Sequence, residues 1–457
     1  MTDSLAERDL RHSLHPYTPL AAHAETGPFV IEGGDGIHVI DDTGKRYIEG
    51  VSGLWCASLG FSERRLVEAA TRQLEAMPYT HLFTGRANVP AIELAEKLVS
   101  IAPEGIERAF FVGSGSEAVD TAIKFAWYYW NARGRPSKKR FVARRRAYHG
   151  VTVAAGSLTG LSYAQDGFDL PAIPVTHVTP PHAYREALEN ESDEDFASRL
   201  AAEIDATIVA AGPENVAAFI AEPVMGAGGV LIPPATYFEK VQAVLARHEV
   251  LMIADEVICG FCRTGSMWGS QTYGIRPDIV TSAKQLSSAY QPIGAVLVTG
   301  ELYDAFVEGS STHGTFGTGF TYGGHPVACA VALETLRIYE ADDVLGHVRS
   351  VSPRFAERVA ALGNHPLVGD ARSVGLIGAI ELVADKATRT PFPTEVGVAK
   401  RVFAAAREHG LIVRAVPGDG IAFCPPLIVD EDGIDRMFDA VAEALGDVQR
   451  ELGGSER

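Results

Sequence analysis

Six short runs that are almost wholly apolar, "RAFFV", "FVA", "VAAFIAE", "VLMIADEV", "DIVTSA" and "GAVLV", recur between residues 108 and 298. A strand with one wet face alternates polar and apolar residues, whereas a strand apolar on both sides must be covered on both sides. That is the condition of a mostly parallel sheet with helices over each face. Helix-like stretches such as "RLVEAATRQLEAM", "PAIELAEKLVSIA" and "AVDTAIKFAWYYW" supply the cover. The expected fold class is α/β.

The pattern is local to part of the chain. Residues 62–330 carry it and are expected to form a large domain. Before them, "PFVIEGGDGIHVIDDTGKRYIEG" alternates apolar and polar residues between turn signals and predicts an antiparallel meander. After the long helix "GGHPVACAVALETLRIYE" come "GLIGAIELVAD" and the pair "GLIVRAV" and "GIAFCPPLIV", joined through Pro417, Gly418 and Asp419. Residues 1–61 and 331–457 are therefore expected to share a smaller α+β domain. No fixed-period repeat is present.

Bulk charge removes several classes of function. The 457 residues carry a formal charge of -18, which opposes nucleic acid and anionic membrane surfaces. The one basic cluster, "KKRFVARRR" from Lys138 to Arg146, encloses a strand-like core and is expected to be solvated or at an interface. No run of about 18 apolar residues could span a bilayer. The N-terminus lacks the apolar region of a secretory signal. Five cysteines, an odd number, argue against a disulfide framework. The cytoplasm is the expected compartment.

Three places carry chemistry. In "FFVGSGSEAVDTAIKFAWYYW" an apolar strand runs through Gly-Ser-Gly-Ser into a helix with Ala118, Val119, Ala122, Ile123, Ala126, Trp127 and Trp130 on one face. Ser114 and Glu117 have capping-box spacing. Free N–H groups at such a helix start suit a phosphate, although a capped turn with no ligand reads equally well. No Walker Gly-Lys-Ser/Thr follows, and "GAGGVL" at 226–231 has Leu231 where a dinucleotide fingerprint needs a small residue.

The second place is Asp255, ending "VLMIA", and the third is Lys284, ending "DIVTSA". Both fall where a parallel strand reaches its carboxyl end, the edge at which open α/β sheets bind ligands. Taken singly, the acid could be a structural ion pair and the lysine a snorkelling surface cation. Taken together, a desolvated lysine, a carboxylate and a phosphate-type helix start are what pyridoxal phosphate requires. The lysine forms the Schiff base, the acid faces the pyridinium nitrogen and the helix start holds the phosphate.

At this point the chain resembles the class III, fold-type I, pyridoxal-phosphate-dependent aminotransferases from about Gly50 onward, through "GSGSEA", "AYHG", "AEPVMGAGG", "ADEVICGF", "SAKQL" and "TYGGHPVACA" in that order. It looks most like the ω-transaminases that use pyruvate. The resemblance implies that Lys284 is the Schiff-base lysine and Asp255 the partner of the ring nitrogen. Val257 and Tyr148 would lie on opposite ring faces, Ser114, Gly115 and Ser116 would cup the phosphate, and Glu222 would lie near the cofactor. Thr321 would reach the phosphate of a partner subunit, implying an obligate homodimer with shared active sites, or a dimer of such dimers. Trp55, Phe83 and Arg414 match substrate-pocket positions, the arginine able to bind a carboxylate and swing away for an uncharged amine.

The family members that use ornithine, acetylornithine or 4-aminobutyrate have Gly-Glu-Gly-Gly, whereas this chain has "GAGG" with Ala227 in the place of the acid. That favours pyruvate over glutamate/2-oxoglutarate as the partner of the amine, be it a primary amine, a diamine or an ω-amino acid. A decarboxylase, racemase or aminomutase on the same fold, and a non-catalytic binding protein, are the competing readings. The spacing Cys259-Gly-Phe-Cys262 suggests a thiol or zinc site, but no second ligand pair or thioredoxin-like unit accompanies it. The pair is expected to be coincidental. The family usually has Gly at the position of Cys262. No metal is expected.

Overall fold

A computed structural model of the chain describes residues 3–454. Among these residues the strands form three sheets. The predicted meander is β1 (Ile31–Asp35), β2 (His38–Asp41) and β3 (Arg46–Glu49), paired antiparallel in succession.

The central sheet contains β4 (Ile106–Val112), β5 (Arg140–Arg144), β6 (Val175–Val178), β7 (Val216–Ala221), β8 (Leu251–Asp255), β9 (Ile279–Ser282) and β10 (Gly294–Thr299). Their spatial order is β4-β10-β9-β8-β7-β5-β6. Neighbours from β9 to β6 are parallel, and β10 alone runs antiparallel to both of its neighbours. All six predicted apolar runs are strands. β6, with threonine and histidine among three half-buried residues before the buried Val178, had no apolar run to announce it.

Both faces of this sheet are covered. Along β8, Leu251 and Ile253 join the cluster under the helix Gly115–Ala132, while Met252 and Ala254 join the cluster under the helix Tyr237–His248. Each such large side chain withdrawn from water contributes about 1.5–3 kcal/mol. Residues 118, 119, 122, 123, 126 and 130 of the first helix are buried as its periodicity requires. Trp127 is only partly covered, and its indole N–H reaches the Lys139 carbonyl at 3.0 Å.

The last strands are β11 (Val368–Val374), β12 (Ile377–Leu382), β13 (Leu411–Ile412), β14 (Arg414–Val416) and β15 (Gly420–Phe423). β13 lies parallel beside β3, pairing Leu411 with Ile48, so chain from both ends shares one sheet. The others form an antiparallel sheet in the order β11-β12-β15-β14. β15 stops before Pro425 and Pro426, which lack the N–H a ladder needs.

Two expectations need correction. The basic cluster is not a solvated face, because Lys138 and Arg144 are fully buried. Lys138 Nζ donates to the carbonyls of Glu249 (2.7 Å) and Val216 (3.0 Å), and Arg144 donates to the Glu222 carbonyl (2.6 Å). Carbonyls left over at helix and strand ends satisfy these cations, which a count of charges does not reveal. The capping box is only half made. Ser114 Oγ accepts from Glu117 N, but the Glu117 carboxylate accepts from Gly113 N at 2.6 Å, one residue further back.

Candidate active site

Because β4, β5, β7, β8 and β9 all point the same way, the residues following them meet at one edge. Ser114 follows β4, Tyr148 follows β5, Glu222 follows β7, Asp255 closes β8, and Lys284 comes two residues after β9. They line a cavity of about 140 Å³ together with Gly115, Ser116, His149, Gly150, Val257 and Ile258. A larger cleft of about 760 Å³, lined by Tyr129, Arg133, Leu251 and Asp278 among others, lies at the opposite edge and contains none of these groups. Size alone does not mark the chemistry.

Asp255 is buried and fully engaged. Its Oδ2 lies 2.7 Å from His149 Nδ1, and its Oδ1 accepts from Val257 N and Thr281 Oγ1, both at 3.2 Å. In β8 and β9, Asp255 is the register partner of Thr281, which sets the last of these contacts. Glu222, also buried, accepts from the N–H groups of Tyr148 (3.1 Å) and Gly226 (2.9 Å). Burial pushes its carboxyl up.

Lys284 is in the left-handed region at φ 48°. Among the described residues its amine makes no hydrogen bond or ion pair. Desolvation pushes the amine down, only partly opposed by Cys56, Asp255 and Glu222. That is the direction that frees an amine for nucleophilic and base chemistry.

The helix start suits an anion. Among the described residues the N–H groups of Gly115 and Ser116 have no hydrogen-bond acceptor, and Ser116 Oγ accepts from Val151 N at 3.1 Å. A Cβ on Gly115 would stand 3.2 Å from Val257, and one on Gly150 would stand 2.7 Å from Ser116 Oγ. The two glycines keep the cradle open. Lysine, buried carboxylate, hydroxyls and free N–H groups are the donor set pyridoxal phosphate needs.

The remaining predicted residues lie outside this cavity. Trp55 is buried at φ 63° in an apolar cluster with Ile258, a cavity-lining residue. Phe83 is exposed and packs on Gly319, where a Cβ would come 2.7 Å from its ring. Thr321 is exposed nearby, its carbonyl accepting from Tyr79 Oη at 2.9 Å. Arg414 opens β14, half-buried, and makes no ion pair among the described residues. Its charge is felt by Lys284 and by Tyr17, Tyr148 and Tyr163. The ring of Tyr17 meets Tyr148 edge-on at 6.5 Å and Tyr163 at 6.1 Å.

Sequence reasoning missed His149, Tyr17 and Tyr163. His149 sits inside the quoted "AYHG", but its partner is 106 positions away. Tyr17 and Tyr163 carry no spacing signal at all. The cysteines have free thiols, and burial pushes Cys262 up to about 12 and Cys259 well above the usual thiol range. Neither is poised as a thiolate.

A mostly parallel sheet that presents a lysine, a buried carboxylate and an open helix start at its carboxyl edge defines a fold-type I pyridoxal-phosphate enzyme. The family described as Aminotransferase class-III matches residues 20–445. The chain belongs to that family and is a pyridoxal-phosphate-dependent aminotransferase. It is 47% identical over 440 residues to gamma aminobutyrate transaminase 1, mitochondrial, of Solanum lycopersicum, covering 96% of this chain and 85% of that protein. A thermostable omega transaminase 6-fold mutant from Pseudomonas jessenii superposes with a TM-score of 0.97 at 50% identity, covering 99% of this chain and 100% of the other. The omega transaminase from the same organism in complex with PMP gives 0.97 at 49% identity, with 99% of each chain covered.

Proposed function

We propose that the protein transfers the amino group of a primary amine, diamine or ω-amino acid to pyruvate, giving a carbonyl product and alanine. The observation that carries the choice of pyruvate is Ala227, buried where an acid would be needed to park the substrate arginine, together with an Arg414 free of ion pairs among the described residues. A guanidinium without a competing carboxylate is ready for the carboxylate of a 2-oxo acid. The plant relatives are named for gamma-aminobutyrate, an ω-amino acid, which keeps that donor class in the reading.

When bound, pyridoxal phosphate supplies an aldehyde that takes up the amine and a ring that accepts the electron pair left by the departing proton. The chain supplies the rest. Lys284 Nζ anchors the cofactor and, once released by the incoming amine, takes the proton from the carbon bearing nitrogen. Asp255, fixed by His149 and Thr281, is the carboxylate that would face the ring nitrogen of the bound cofactor and favour its protonated form. Ser114, Gly115 and Ser116 would hold the phosphate, Val257 and Tyr148 would contact the ring, and Glu222 fixes the Tyr148 loop through its backbone. Trp55, Phe83 and Arg414 shape the substrate side.

The same reading makes the active unit a homodimer, or a dimer of such dimers, with the exposed Thr321 offered to the phosphate site of a partner subunit. It places the cofactor on residues 62–330 and the smaller domain on 1–61 with 331–457. The cytoplasm is the proposed compartment, consistent with five unpaired cysteines. No helix among the described residues is long and apolar enough to cross a membrane.

The test is holoenzyme with pyruvate and a panel of arylalkylamines, diamines and ω-amino acids, scored for alanine. Alanine is expected with at least one class, and faster than glutamate formed from 2-oxoglutarate. Glutamate formed faster than alanine would transfer the reading to 2-oxoglutarate. Product without amino transfer would mean a decarboxylase, racemase or aminomutase. Sedimentation of the holoenzyme reads the oligomer, and a monomeric active species would remove the shared-site assignment.

A further inference from the structure

We infer that Arg146 is a positioning residue for carboxylate recognition, its guanidinium fixing the β14–β15 turn and, through it, Arg414. The inference rests on the reading above that Arg414 binds the carboxylate of the acceptor. Arg146 stands two residues before Tyr148 with φ 66°. Its carbonyl occupies the place where a Cβ on Gly228 would fall, 2.3 Å away, and its Nη2 lies 3.0 Å from where one on Gly229 would fall. Nη2 then donates to the Pro417 carbonyl at 2.8 Å, and Nη1 lies 3.0 Å from His182 Nδ1. One side chain thus threads the "GAGG" loop and ends on the turn that follows Arg414.

The hairpin it grips is short. β14 has three residues, pairing Arg414 with Ala422, Ala415 with Ile421 and Val416 with Gly420. Pro417 is therefore only about 10 Å along the strand from Arg414. Asp419, at the far side of the turn, is held separately, its carbonyl accepting from Leu382 N at 3.1 Å and its Oδ1 from Ala399 N at 3.5 Å, so Arg146 fixes the Pro417 side, which continues directly into β14 and Arg414. The "GAGG" loop has an independent hold, because Arg372 donates to the Val230 carbonyl at 2.9 Å and also to that of Gly229. The contact peculiar to Arg146 is Pro417, so loosening it should reach Arg414 before it reaches the cofactor. Arg146 is half-buried, and its Nε, withdrawn from solvent, has no hydrogen-bond partner among the described residues, which costs rather than adds stability. A residue kept at such a cost is better explained by the geometry it fixes.

The experiment measures the holoenzymes of R146M, R146K, R414A and R146M/R414A against the parent, with pyruvate and with 1-phenylethylamine. R146M is expected to raise KM for pyruvate about 10-fold or more while kcat, the amine KM and the cofactor absorption band stay within about twofold. R146K, which keeps a cation but not a fork of donors, should recover part of the loss. The R146M effect should vanish in the R414A background, because a residue acting through Arg414 has nothing left to position. An unchanged pyruvate KM in R146M with a raised one in R414A overturns the inference and leaves the Arg414 reading intact. An unchanged KM in R414A overturns the reading itself, and the inference with it. If R146M fails to fold, R146K alone decides, and a pyruvate KM equal to the parent's counts against the inference.

Discussion

The amine of Lys284 is held on a residue in the left-handed region, a conformation costing a non-glycine residue about 1–2 kcal/mol. Such strain persists only where the surroundings over-determine it, which is common at active sites. Lys284→Ala should lower alanine formation by about 10²–10⁴-fold from loss of the base alone, and abolish the visible cofactor band near about 400–420 nm. A variant retaining both would refute the assignment. His149→Phe removes the 2.7 Å contact to Asp255. A hydrogen bond to a charged group is worth about 1.5–3 kcal/mol, so kcat should fall about 10- to 100-fold in a folded protein. His149→Gln should recover part of it, and parental kcat in His149→Phe would exclude the role. Lys284 and Asp255 were legible because each ends an apolar run. His149 was not, because the sheet topology alone brings it to Asp255. Cys262, fully buried at φ 74°, explains why glycine is usual at its position. Replacing it by Gly removes about 1 kcal/mol of strain and about 1 kcal/mol of burial, so C259S/C262G should melt within a few degrees of the parent and keep its activity.

Among elements, the parallel strands were read from composition alone, because covering both faces leaves no room for polar residues. Their shared direction then predicted that Asp255 and Lys284 would lie at one edge. β6 and the buried Lys138 were hidden for the converse reason: a half-buried edge strand need not be apolar, and a cation satisfied by carbonyls looks like any other lysine in the sequence. The helix that starts at Gly115 tests how far capping and phosphate binding share one turn. Ser114→Ala removes the acceptor for Glu117 N and should destabilise the cofactor-free protein by about 1 kcal/mol. If Ser114 also binds phosphate, cofactor affinity should drop by more than that loss accounts for. Fluorescence titration with pyridoxal phosphate against melting of the cofactor-free form separates the two. Unchanged affinity would leave Ser114 a cap only.

For the whole molecule, pairing of β13 with β3 joins segments that no spacing relates, so the shared sheet could be expected but its register could not. The assembled molecule carries a charge of -18 and buries acids that hold their protons late. Burial pushes Glu49 and Glu256 up to about 7 and Asp278 up to about 6. Between about pH 4.5 and 7 the folded state binds protons that the unfolded chain has released, so stability falls as pH rises through that window. Asp41, Glu191 and Glu381 are held down near 2, so their contribution is present above about pH 4 and lost as pH falls toward 2. Taken by themselves these acids place the highest melting temperature near about pH 5 and a decline toward pH 8, with growing negative charge acting in the same direction, while His177 and His182, pushed down by burial, act the opposite way as pH rises toward about 6.5. Salt distinguishes the two causes, since added NaCl screens surface repulsion but not burial. Glu256 is the sharpest probe, being fully buried and accepting from Gly269 N (2.9 Å) and Ser270 N (2.5 Å). Glu256→Gln pays a fixed penalty for turning an amide toward those donors, but that penalty does not vary with pH. The variant's decline from pH 5 to 8 should be shallower than the parent's by on the order of 1–3 kcal/mol in high salt. Parallel slopes for parent and variant would show that Glu256 ionises alike in the folded and unfolded chains.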